Sequence, residues 1–232
     1  MQPYSFKNTQ YLAGQWIQGT SAHVIKNINP FNQATILELQ AASKADVDTA
    51  YASAQEAFGT WSKTDAIVRR NLVEHVADII AKRRVEIVDL LIQESGSTRL
   101  KANIEVDAAL AMIYEAASFP HRLINSQLES SDPERQSWVY KKALGVIAVI
   151  SPWNFPFHLS MRSVVTAIAI GNSVVLKPAS DTPITGGLLL AKIFEEAALP
   201  PGVLSVVAGS GREIGDYFVA HAVPKLISFT GS

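Results

Sequence analysis

The chain is 232 residues long and 48% hydrophobic, enough apolar side chain to bury a sizeable core in one large domain or one domain with a small appendage. Its formal charge is −1, with 20 Lys and Arg against 21 Asp and Glu interspersed along the chain, which leaves no basic stripe for nucleic acid or an anionic membrane surface. It has no cysteine and only five scattered histidines, so disulfides, cysteine-ligated zinc and a thiolate nucleophile are excluded within these residues and a metal site has little support.

The opening "MQPYSFKNTQYLAGQW" lacks the cationic head and apolar stretch of a secretory signal, and no apolar run approaches the roughly 20 residues of a spanning helix. The expected location is the cytoplasm. "YLAGQWIQG" and "HVIKNINPFNQATILELQAA" alternate and are broken by Gly, Asn and Pro, which predicts a β-rich opening packed on something larger. At Ser43 the pattern changes: "SKAD" has capping-box spacing, and Val47, Ala50, Ala54 and Phe58 follow at helical intervals. A long helical region, one helix or two, is predicted from Thr64 to about Gly96, with Ile67, Leu72, Val76, Ile79 and Ile80 on one face. A third helix is predicted from Leu100 to Phe119, stopping at Pro120.

Residues 121–136, "HRLINSQLESSDPERQ", are polar and turn-prone and read as a linker. "SWVYKKALGVIAVIS" then reads as a strand, a turn near Gly145 and a buried strand, Val146 to Ser151. Beyond it helices (about Phe157 to Ile170, Pro183 to Ala198 and Glu213 to Ala222) alternate with the strands "SVVLKP", "VLSVVAG" and "KLISFT". Strands apolar throughout and separated by helices predict a doubly wound parallel α/β sheet covered on both faces.

Ligands of such sheets bind beyond the carboxyl ends of the strands, which here are "SPWN", "LKPAS", "AGSGREIG" and "FTGS". Lys177 at the mouth of its strand either reaches a ligand hydroxyl or phosphate or is a snorkelling lysine. Gly209, Gly211 and Gly215 are one residue too long for a dinucleotide fingerprint and follow the third strand of the run, so turn glycines are the preferred account. Gly231 and Ser232 look like a helix entry suited to pyrophosphate. Asn154, set between Trp153 and two prolines, is either a donor aimed at a developing oxyanion or an Asn satisfying its own turn.

Taken together, "ISPWNFPFHLSMRSVVTAIAIGNSVVLKPASDTPITGG", "PPGVLSVVAG" and "ISFTGS" closely resemble the first half of the aldehyde dehydrogenase superfamily. "KPASDTPITGG" looks most like its benzaldehyde and vanillin type. The resemblance implies an NAD(P)-binding domain over 1–232, Rossmann-like, with residues 121–144 supplying linker and oligomerisation strands and the strand pair at roughly Arg135 to Leu144. It implies that Asn154 holds the aldehyde oxygen as it becomes an oxyanion. Trp153 matches a nucleotide-contacting tryptophan, with Ile150 and Ser151 at the same strand end. Lys177 matches a ribose-bonding lysine, Gly209 a glycine beside the adenine, and Ser232 a pyrophosphate contact. Where many NAD-preferring members carry Glu after "KPA", this chain has Ser180; removing a like-charge contact of roughly 1–4 kcal/mol favours NADP or dual use, although Asp181 next door restores some repulsion. The family's cysteine nucleophile and glutamate base have no counterpart here, so the chain alone is expected not to oxidise aldehydes. The implied whole is an NAD(P)-dependent, homo-oligomeric (dimeric or tetrameric) enzyme acting on a small-molecule aldehyde, with no nucleic-acid or membrane partner. The other reading is a non-catalytic nucleotide-binding or oligomer-forming module.

Overall fold

The computed structural model describes residues 2–231. The predicted alternation folds into one six-stranded sheet and two small hairpins. In chain order the opening gives β1 (Gln10–Leu12), β2 (Gln15–Ile17), β3 (Val24–Ile28) and β4 (Thr35–Gln40). Four helices follow, α1 (Lys44–Trp61), α2 (Ala66–Lys82), α3 (Arg84–Ser95) and α4 (Arg99–Arg122). A hairpin of β5 (Ser126–Leu128) and β6 (Ser137–Val139) leads into the α/β run. That run is β7 (Val146–Ile150), α5 (Pro156–Ala169), β8 (Ser173–Lys177), α6 (Leu189–Glu196), β9 (Leu204–Val206), α7 (Asp216–Ala220) and β10 (Leu226–Phe229).

The sheet order is β10-β7-β8-β9-β1-β2. The first four strands are mutually parallel, and β1 joins antiparallel through Tyr11 against Val206. Strand alternation sorts the side chains onto two faces. Ile147, Val149, Val174 and Leu176 face Phe157 and Met161 of α5 and Leu189 and Leu190 of α6, with α2, α3 and α4 behind. Val146, Ala148 and Val175 face Val47, Ala50 and Ala54 of α1 and Phe218 of α7. Each Val, Leu, Ile, Met or Phe so buried stabilises the fold by about 1.5–3 kcal/mol. The turn into β7 needs glycine: Gly145 has φ +137°, and a Cβ there would lie 2.9 Å from Lys225 Cγ.

Several expectations need correction. The β-rich opening packs on the larger unit as expected and goes further, because β1 and β2 extend the doubly wound parallel sheet with two antiparallel strands. The third helix runs through Pro120 to Arg122; a proline in the last turn forfeits only one helical bond, and Pro120 is buried. Ile67 is 50% exposed and lies off the buried face of α2. The predicted linker contributes β5, so the strand pair is Ser126–Leu128 with Ser137–Val139 and not Arg135 to Leu144. The helices after β8 and β9 each open with a π-helical turn, Ile184–Leu188 and Gly211–Gly215. The last strand, which no following helix covers among the described residues, is an edge strand with Leu226, Ile227 and Phe229 exposed.

Candidate functional site

Strand β7 lies between β8 and β10. The chain leaves β7 for β8 and β9 on one side and then crosses back to place β10 on the other, so the end of β7 is a topological switch point, where the two flanking connections part and leave a crevice. Register brings three strand ends level: Ile150 pairs with Lys177 on one side and with Phe229 on the other. Backbone bonds extend the alignment, from Ser151 N–H to Lys177 O at 3.3 Å and from Thr230 N–H to Ile150 O at 3.0 Å. A cleft of about 610 Å³ opens above them, and Ile150, Ser151, Trp153, Asn154, Lys177 and Phe229 are among the residues that line it.

Lys177 is 6% exposed, and its Nζ donates to Pro178 O at a long 3.4 Å. Burial pushes its ammonium down from the ordinary lysine value. An ammonium has three donors, so a weak bond to one carbonyl leaves capacity for an oxygen-rich ligand. Ser151 is buried beside it, 2.5 Å from Ser160 Oγ, which in turn donates to Gly186 O at 2.7 Å. With the Ser160 proton committed to that carbonyl, Ser151 donates to Ser160 and keeps its lone pairs as acceptors. Cleft walls therefore offer both a strong donor and an acceptor.

The turn after β7 is shaped by Pro152 and by Pro156 at the first position of α5. Asn154 is exposed at the cleft, and its Oδ1 accepts from Phe155 N–H at 3.0 Å. The carbonyl therefore satisfies the turn, and the amide NH₂ remains a donor with no acceptor among the described residues. Trp153, 60% exposed, forms the adjacent wall.

Ser180 and Gly209 sit one and two strands further along the same edge and meet through Ser180 Oγ donating to Gly209 O at 3.4 Å. They are not among the residues lining the cleft. Gly209 is needed for packing, since a Cβ would approach Ile214 Cδ1 to 2.4 Å and Ala42 O to 3.3 Å. Ser232 lies outside the described residues. Residue-by-residue reading passed over Phe229 and Thr230, which form one wall of the cleft; the signal was present in the strand end "FTGS". Among the described residues no group of His, Cys, Asp and Glu could hold a metal ion.

Donors at Lys177 and Asn154, an acceptor at Ser151 and an aromatic plate at Trp153 suit a hydroxyl-rich ligand with a flat ring. Residues 16–232 match the model of the Aldehyde dehydrogenase family. The chain is 53% identical over 221 residues to a vanillin dehydrogenase of Corynebacterium glutamicum, covering 95% of this chain and 46% of that protein. It is 44% identical to the benzaldehyde dehydrogenase YfmT of Bacillus subtilis, covering 99% and 47%. The fold superposes on the crystal structure of an NAD-dependent benzaldehyde dehydrogenase from Corynebacterium glutamicum with a TM-score of 0.94 at 52% identity, over 97% of this chain and 49% of that one. The chain thus spans about half the length of the curated relatives it matches.

Proposed function

The chain belongs to the aldehyde dehydrogenase family, and from that premise we propose that residues 1–232 are the NAD(P)-binding portion of an enzyme that oxidises an aromatic, benzaldehyde-like aldehyde to its carboxylic acid. The observation that carries this reading is the convergence of Trp153, Asn154 and Lys177 on one cleft at the switch point of the parallel sheet. NAD(P) held by these residues would supply the hydride acceptor. The residues of this chain do the rest of the work available to it. Lys177 and Ser151 take ribose hydroxyls, Ile150 and Trp153 wall the nucleotide, and Ser180 and Gly209 border the adenosine side. Ser232 belongs to the pyrophosphate contacts in the same reading. Asn154 presents its amide to the aldehyde oxygen, a donor whose loss typically costs on the order of 10²–10³ in rate.

Serine at position 180 carries no charge against a 2′-phosphate, which supports use of NADP as well as NAD. The exposed hairpin β5–β6 supports a homo-oligomer, dimer or tetramer. No helix among the described residues is long and apolar enough to cross a membrane. The cytoplasm, where pyridine dinucleotides are held, is the location that goes with this reading. The chain contains no cysteine, so it should produce no NAD(P)H from benzaldehyde by the covalent route and show no thiolate-dependent esterase activity.

Calorimetric titration of the chain with NAD⁺ and NADP⁺ tests the reading. Both should bind, and Lys177→Met should weaken each about tenfold, the worth of a charge-assisted bond. No heat with either dinucleotide at millimolar concentration overturns it. Self-association without dinucleotide binding would instead favour an oligomer-forming module.

A further inference from the structure

Helix α5 begins immediately after the Asn154 turn, and its first N–H groups need acceptors. Helices α1 and α4 take theirs from the residue before them, Ser43 and Thr98. Helix α5 cannot, because Phe155 at its N-cap offers no side-chain acceptor. The acceptor comes from α4: Glu105 Oε1 accepts from Phe157 N–H at 2.8 Å and from His158 N–H at 3.3 Å. These are the two amides that an ordinary N-cap side chain serves. Glu105 is 0% exposed, and Lys101 one turn earlier on α4 brings Nζ to 3.5 Å from Glu105 Oε2 and 4.3 Å above the Phe155 ring. An isolated buried carboxylate is costly, and an apolar side chain would fill the space more cheaply. What the carboxylate adds is a directed tie between α4 and the turn.

We propose that Glu105, partnered by Lys101, is a positioning residue that holds the Asn154 carboxamide at the cleft by capping α5 from a neighbouring helix. The segment between the end of β7 and His158 is pinned at both ends, by Ser151 N–H on Lys177 O and by Phe157 and His158 on Glu105. Between those pins two prolines each fix φ. With both ends of this five-residue span held, a shift at Glu105 is passed to the turn that carries Asn154. The importance of that placement rests on the role proposed for Asn154 above.

The test is amide hydrogen exchange and ¹⁵N-resolved NMR on the 232-residue chain, comparing wild type with Glu105→Ala, Glu105→Gln and Glu105→Asp. Three signals are followed: the Phe157 and His158 amides, the Asn154 side-chain NH₂ pair and the Trp61 indole N–H. The last is bonded to Ile168 O at 3.0 Å near the far end of α5 and reports the integrity of the helix. In Glu105→Ala the two amides should exchange at least about tenfold faster and the Asn154 pair should shift, with Trp61 unchanged. Glu105→Gln keeps an acceptor oxygen of the same reach and should restore most of both. Should the alanine variant not fold, Glu105→Asp carries the test: its retracted carboxylate should expose His158 first and shift the Asn154 pair. Amides as protected as in wild type in the Ala or Asp variant overturn the proposal. So does an unmoved Asn154 pair when they open. None of these readouts needs dinucleotide, so a chain that fails to bind NAD(P) sinks the functional reading and leaves the clamp standing.

Discussion

Gly209 is constrained by its neighbours and not by its backbone, since its φ is not in the left-handed range. A Cβ would press on buried Ile214, which has no free side. Gly209→Ala should therefore cost about 1–3 kcal/mol of stability, seen as a lower urea midpoint. A second residue-scale expectation concerns Glu94 of α3, fully buried and accepting from Ile184 N–H at 2.8 Å, Thr185 N–H at 2.6 Å and Thr185 Oγ1 at 2.5 Å. Burial outweighs those donors and pushes its carboxyl up to about 7 from 4.5. The folded state thus holds this proton where the unfolded chain has released it. The contribution is largest below about pH 4.5, falls as pH rises to about 7 and is flat above, on the order of 3 kcal/mol in all. Glu94→Gln removes the dependence. Relative to that variant, wild type should lose stability between pH 5 and pH 8, and an equal gap at both pH values in urea titrations would contradict it.

At the scale of single elements, the sequence was most readable where local chemistry and burial agree. The "SKAD" box is formed as expected: Ser43 caps Asp46, and Asp46 Oδ2 accepts from Ser43 N–H at 2.8 Å. The same oxygen also takes Thr20 N–H at 2.8 Å and Thr20 Oγ1 at 2.9 Å, a tertiary tie that no local pattern announces. Ser43→Ala should cost about 1 kcal/mol, and Asp46→Ala more, because it frees the strand connection at Thr20 as well; thermal midpoints would rank the two. Where local and tertiary demands diverge, prediction failed. The π-turn at Ile184–Leu188 brings Gly187 so near Pro178 and Val206 that a Cβ would lie 2.7 Å and 2.9 Å from them, a constraint invisible in a helical pattern. Strand β10 is apolar yet lies on the edge, because apolarity does not encode a strand's place in the sheet. The cleft residues were legible because strand-end chemistry is local: Ser151, Asn154 and Lys177 each follow or close an apolar run. Glu105 was not, since its partners lie 52 and 53 residues away.

At the scale of the molecule, the hairpin β5–β6 is exposed along both strands, and Leu128, Trp138, Val139 and Tyr140 stand in solvent. An apolar ribbon with open edges invites pairing with a second copy. If the chain self-associates as proposed, Leu128→Glu with Trp138→Glu should lower the sedimentation coefficient toward that of a single chain without lowering the thermal midpoint, because neither side chain serves the core; a coefficient the two changes leave unmoved would contradict association through this hairpin. The sheet order carries a different consequence. Strands β7, β8, β9, β1 and β2 can pair among themselves, whereas the cleft also requires residues 229–231 at the outer flank of β7. Ligand capacity is thus separable from the rest of the sheet: a lesion confined to β10 would open the wall of the crevice while the other five strands keep their pairing.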